Sequence, residues 1–105
     1  MNKERITQLL SFYKEDPTDP FNVYCLATEY KDYDKEKALE YYNELLESHA
    51  SYLPTYYHAA EILIEQDHID QAEKIIDKGI ELAISQNNQL ALRELRNMLD
   101  NLLDY

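Results

Sequence analysis

The chain has 105 residues with one Gly, three Pro and one Cys, and its 21 acidic and 10 basic side chains give a formal charge of −11. That length makes one domain with a thin hydrophobic core, and so few Gly and Pro argue against β-hairpins and for helices joined by short turns. So many carboxylates repel a phosphate backbone or an anionic leaflet, which makes nucleic acid and membrane surfaces poor partners.

Six helices follow from a 3.6-residue apolar periodicity. The first runs from about Lys3 to Glu15 with Ile6, Leu9, Leu10 and Tyr13 on one stripe, and Asp16-Pro17 closes it because proline disfavours helix in the residue before it. Asp19-Pro20 reads as an N-cap followed by Pro in the first helical position, opening a second helix to about Asp32 that buries Val23, Leu26, Ala27 and Tyr30. Asp34 caps a third, about Lys35 to Ser48, carrying Ala38, Leu39, Tyr42, Leu45 and Leu46. Pro54 opens a fourth, to about Gln66, through Tyr56, Ala59, Ala60 and Leu63. The fifth, about Ile69 to Ser85, buries Ala72, Ile75, Ile76, Gly79 and Leu82; Asn87 and Asn88 then stop one helix and cap the next. The sixth, about Gln89 to Leu103, has a stripe of Leu92, Leu95, Leu99 and Leu102. Short connections make successive helices antiparallel neighbours.

The chain also repeats itself. Ala38 and Ala72 lie 34 residues apart, as do Tyr42 and Ile76, while Val23-x-x-Leu26-Ala27-x-x-Tyr30 matches Tyr56-x-x-Ala59-Ala60-x-x-Leu63 at an offset of 33. The one-residue difference falls in the turn around Asp32-Tyr33-Asp34. In these residues the chain resembles the tetratricopeptide repeat family, a 34-residue helix–turn–helix unit with the pattern W-x2-L-G-x2-Y, then A-x3-F, then P. Ala27 and Ala60, and Ala38 and Ala72, stand where the family uses small residues so that paired helices approach closely. Gly79 falls at another such position, although a lone helical Gly costs roughly 1 kcal/mol against Ala; its equivalent, Leu45, departs from the preference. Asp67 stands where the family's turn holds Gly, and Asp tolerates the left-handed region better than most residues. Leu9 and Phe12 match Tyr42 and Leu45.

The resemblance implies an all-α fold of about six helices, with antiparallel hairpins stacked as a short right-handed solenoid. Residues 1–17 would be the helix of a half-repeat, 20–52 the first full repeat, 53–86 the second and 88–105 a C-terminal capping helix. It also implies a concave groove lined by the first helix of each pair. Tyr24, Thr28 and Lys31 then form one stripe, and Tyr57, Glu61 and Ile64 the matching stripe 33 residues later, an expected partner-binding groove to which Glu65 also belongs. Aromatic residues in a concavity anchor bound peptides or helices; alternatively Tyr24 and Tyr57 pack against the first or sixth helix. Glu61 and Glu65 suit a basic or apolar ligand, and the family mode that grips a terminal carboxylate with Lys and Asn lacks its residues here.

The competing chemistries have little to stand on. His49, His58 and His68 are too scattered for a metal site, which needs three or four ligands. No phosphate loop and no nucleophile with a recognisable base occurs, so neither a cofactor nor catalysis is expected. Cys25, beside core Leu26, reads as a small, partly buried apolar residue. Being alone, it permits no intrachain disulfide; with no apolar run from Met1 to Tyr13 and no stretch near the ~20 residues of a membrane span, the expected compartment is the cytoplasm. The expected function is an adaptor holding a peptide or helix of another protein. The alternative is a structural module that self-associates through its terminal helices, prompted by Leu102, Leu103 and Tyr105; the expected state of the chain is a monomer or weak homodimer. The negative charge either confers solubility or steers a basic partner.

Overall fold

The computed structural model describes residues 2–104, which form six α-helices and no strand. They are α1 (Lys3–Glu15), α2 (Pro20–Tyr30), α3 (Lys35–Ser48), α4 (Pro54–Glu65), α5 (Ile69–Ser85) and α6 (Gln89–Leu103). The chain divides into two compact units, Met1–Tyr52 and Leu53–Tyr105.

In the first unit the helix ends are written in short polar side chains. The Asn2, Asp19 and Asp34 side chains accept hydrogen bonds from the backbone N–H groups of Arg5, Phe21 and Lys37, each cap contributing about 1 kcal/mol. Pro20 occupies the first turn of α2, where its missing N–H has no intrahelical role. The α1–α2 hairpin is tied at both ends. Asn22 Nδ2 donates to the Phe12 and Asp16 carbonyls at the C-terminus of α1, 3.2 and 3.1 Å away, and Arg5 pairs with Glu29 at 2.9 Å. The α2–α3 pair buries Val23, Leu26, Ala27, Ala38, Tyr42 and Leu45 completely, each large side chain contributing about 1.5–3 kcal/mol.

The first helix departs from its expected stripe. Ile6 and Leu9 are buried, but Leu10 is 37% and Phe12 45% exposed. In this unit α1 packs on α2, and one neighbouring helix covers a narrower arc than the apolar periodicity spans. Phe12 therefore does not do what Leu45, its match in the repeat, does. Tyr13 reaches α3 instead: its hydroxyl donates to both oxygens of Glu44, at 3.0 and 3.1 Å, and its ring meets Tyr41 edge-on at 6.0 Å. Tyr41 in turn stacks on half-buried Tyr30.

The second unit repeats the hairpin and adds a third helix. Tyr56, Ala59, Ala60 and Leu63 of α4 and Ala72, Ile76 and Gly79 of α5 are buried as expected, with Leu92, Leu95 and Leu102 of α6. Ile62 and Ala83, off the expected stripes, are fully buried too, because α4 and α5 each contact two helices in this unit. Leu39, Leu46, Ile75, Leu82 and Leu99 are half-buried at the edges of their stripes.

Both turns of this unit end in a left-handed residue, Asp67 at φ 64° and Asn87 at φ 55°. Around Asp67, the His68 N–H bonds to Leu63 O and the Asp67 N–H to Ile64 O; around Asn87, Asn88 bonds to Ala83 O and Asn87 to Ile84 O. That pair of bonds is the Schellman motif, which satisfies the last carbonyls of a helix. The α2–α3 turn has no such residue. There the Tyr33 and Asp34 N–H groups both bond to Tyr30 O, and α2 stops at Tyr30 rather than at Asp32. The residue by which the two copies differ is thus Asp67, the one that takes the left-handed conformation.

Candidate partner-binding cleft

Once α4 has committed Thr55, Tyr56, Ala59, Ala60, Ile62 and Leu63 to the core, Tyr57, Glu61 and Ile64 remain on one edge, spaced i, i+4, i+7 along the helix. Tyr57 and Ile64 form one wall of a cleft of about 340 Å³ whose other wall is Glu94, Asn97, Met98, Asn101 and Leu102 of α6. The α6 residues follow the same logic, at i, i+3, i+4, i+7 and i+8. Glu61 is half-buried between Tyr57 and Ile64, and Glu65 is exposed beyond them. Two helix reversals separate α4 from α6, so the two walls run parallel. Tyr57 and Glu94 therefore mark the end of the cleft nearer both N-termini, and Ile64 and Leu102 the other.

What sets these walls is α5, and above all Gly79. A Cβ built on Gly79 would lie 2.8 Å from Tyr56 Cβ and 3.0 Å from Leu95 Cδ1. Only a bare α-carbon lets α5 approach α4 and α6 together. The small residue expected there for packing also positions the cleft.

In the first unit the corresponding residues are drawn into their own packing. The Tyr24 ring lies 5.5 Å from that of Tyr52, tilted by 55°, and burial followed by the nearby Tyr24 pushes the Tyr52 hydroxyl above its ordinary pKa. Thr28 Oγ1 lies 3.3 Å from the hydroxyl of buried Tyr42 and shares a hydrogen bond with it. Lys31 is the C-cap of α2, and its carbonyl accepts from Lys35 Nζ at 3.3 Å. Of the seven expected groove residues, Tyr57 and Ile64 line one cleft with Glu61 between them; Tyr24 and Thr28 make structural contacts. The sequence allows Tyr57 to lie against the sixth helix, but it does not single out the α6 residues of this wall. Their only signal was a second stripe beside Leu92, Leu95, Leu99 and Leu102, starting at Glu94.

His58 packs edge-on against Tyr57 at 5.6 Å, His49 is the C-cap of α3 and His68 precedes α5. Among the described residues no three His, Cys, Asp or Glu side chains gather as metal ligands. Burial raises the pKa of the half-buried Cys25 thiol, and Arg5 offsets only part of that rise.

A family model described as tetratricopeptide repeat matches residues 29–92. The chain belongs to the tetratricopeptide repeat family. A crystal structure of a tetratricopeptide repeat domain protein from Salinibacter ruber is 34% identical, covering 80% of this chain and 96% of that one, with a TM-score of 0.76. A solution structure of a tetratricopeptide repeat domain protein from the same organism is 35% identical, covers 83% and 89%, and has a TM-score of 0.77. The solution structure of a Bordetella parapertussis protein shares the fold, with 18% identity, coverage of 94% and 87%, and a TM-score of 0.81. No curated protein matches the chain. Tetratricopeptide repeats generally mediate protein–protein interaction and are typically not enzymes. Among the described residues no helix is long and apolar enough to cross a membrane.

Proposed function

We propose that this tetratricopeptide repeat protein is an adaptor that holds a peptide or helix of another protein, without cofactor or catalysis. The observation that carries this reading is the cleft between α4 and α6, where Tyr57, Ile64, Met98 and Leu102 offer apolar surface beside Glu94, Asn97 and Asn101. Mixed linings of that kind let a few polar groups orient an apolar anchor. On this reading residues 20–52 and 53–86 are the two full repeats, α1 is the helix of a half-repeat, α6 is a cap that also lends a wall to the site, and Tyr24, Thr28 and Lys31 form the stripe of the first repeat equivalent to Tyr57, Glu61 and Ile64. A protein confined to the cytoplasm fits the single thiol.

The test begins with a partner recovered from the native cell and then measured by calorimetry. Tyr24→Ala with Tyr57→Ala should weaken binding by about 2 kcal/mol or more. Tyr57 should account for the greater part, because Tyr24 is engaged with Tyr52. Unchanged affinity, with the helical circular dichroism intact, sinks the reading.

A second reading, assembly of copies through terminal helices, draws on exposed Leu103 of α6 and exposed Phe12 of α1. Leu102, which first prompted it, is buried, and Tyr105 lies outside the described residues. Light scattering after size exclusion separates the two: a single 12.5 kDa species across the micromolar range removes self-assembly.

A further inference from the structure

We infer that the α4–α6 cleft selects an extended partner segment with an arginine or lysine three residues before a leucine, isoleucine or methionine. The inference rests on the adaptor reading and adds the chemistry of the occupant.

The size of the cleft argues first. At about 340 Å³ it has room for about two anchor side chains of a bound segment.

Its polarity argues second. At one end stand the Tyr57 ring and the exposed Glu94 carboxylate, with Glu61 on the same stripe one turn further along α4. A cation over the face of a tyrosine ring is attracted by its quadrupole, and a carboxylate beside it adds a charge-assisted bond. At the other end stand Ile64 and Leu102, with Met98, an adaptable side chain, between. None of the lining residues is basic: the two arginines of α6, Arg93 and Arg96, line an adjoining depression with Gln89, Leu92 and Asp100, which shares Asn97 with the cleft. The unit as a whole has ten acidic side chains against four basic ones, which favours approach of a cation.

Spacing argues third. Tyr57 and Ile64 are seven helical residues apart, about 10 Å at 1.5 Å per residue. Three residues of chain extended in the polyproline II conformation cover about 9 Å and, at three residues per turn, bring the side chains at i and i+3 to one face; a β-strand would put them on opposite faces. The Asn97 and Asn101 amides, which donate and accept, stand along that path to meet the backbone of the segment.

The experiment pans a displayed random dodecapeptide library on the full chain and measures the selected peptides, fluorescein-labelled, by polarisation. The expected result is enrichment of Arg or Lys three places before Leu, Ile or Met. Glu94→Gln should weaken those peptides roughly five- to tenfold and erase the basic preference. Glu94→Lys should turn that position acidic, a change no loss of folding could produce. Ile64→Ser should erase the apolar preference alone. Peptides that show no basic preference yet are lost on Tyr57→Ala overturn this inference and leave the adaptor cleft standing. Peptides indifferent to both Tyr57→Ala and Ile64→Ser, with circular dichroism unchanged, overturn both, as does a library that yields no enrichment.

Discussion

The two helix pairs solve one packing problem with opposite distributions of bulk. In the first, Val23 on α2 and Leu45 on α3 share the buried space; at the equivalent positions of the second stand Tyr56 on α4 and Gly79 on α5. The aromatic ring is accommodated by removing the facing side chain altogether, which brings the α5 backbone against Tyr56 Cβ. The turns differ in the same spirit. The second pair inserts Asp67 in the left-handed region and closes a Schellman motif, whereas the first omits that residue and ends α2 early. Equivalence in a repeat protein is therefore a property of the helix pair and its total volume, not of each position.

The largest effect expected from this contrast comes from shrinking Leu45. Leu45→Ala should cost about 3 kcal/mol by opening a cavity, while enlarging its counterpart, Gly79→Ala, should cost about 1–2 kcal/mol by overpacking in spite of the better helix propensity of Ala. Urea denaturation measures both. A Gly79→Ala variant more stable than the parent would show that the close approach to Tyr56 is absent, and the contrast would dissolve.

A smaller effect separates the turns. Asp67→Gly should stabilise by about 0.5 kcal/mol, since glycine takes a positive φ without steric cost but loses more freedom on folding. Tyr33→Gly, at the turn with no positive φ, should only destabilise. Thermal melts suffice, and equal responses at the two turns would break the distinction between them.

The smallest effect is expected in alkali. Burial raises the pKa of Tyr13, Tyr41 and Tyr52 in the first unit and of Tyr56 in the second; for Tyr13 the bond to Glu44 adds to it. A group whose folded pKa is raised contributes stability that is complete below the unfolded tyrosine value of about 10 and is lost as pH rises through the folded one. Tyr13→Phe should flatten that loss, read as the slope of unfolding free energy against pH from 9 to 11.5. A slope indifferent to Tyr13→Phe would mean that its bond to Glu44 has no weight in solution.

Much of this was legible in the sequence, for reasons that can be named. Caps and prolines fixed helix ends: Asp19-Pro20, Asp34 and Asn88 act as read, and α3, α5 and α6 match to the residue. The alanine pairs fixed which faces touch. What periodicity could not supply was the width of each buried arc, which depends on how many neighbours a helix has; hence Leu10 and Phe12 of α1 are more exposed than read, and Ile62 and Ala83 less. The candidate site was half legible. Tyr57 and Ile64 came from transferring one copy's register to the other, but α6 departs from the repeat pattern, so no register pointed to Glu94, Met98 or Asn101.

Cys25 has a practical consequence. The thiol sits half-covered on α2 with its pKa raised by burial, so at neutral pH it is held in the form that reacts slowly with alkylating reagents. Any loosening of the first unit that wets this position increases the thiolate fraction and, with it, the rate of covalent labelling. The molecule thus contains a native reporter of its own breathing, readable by mass without an introduced probe.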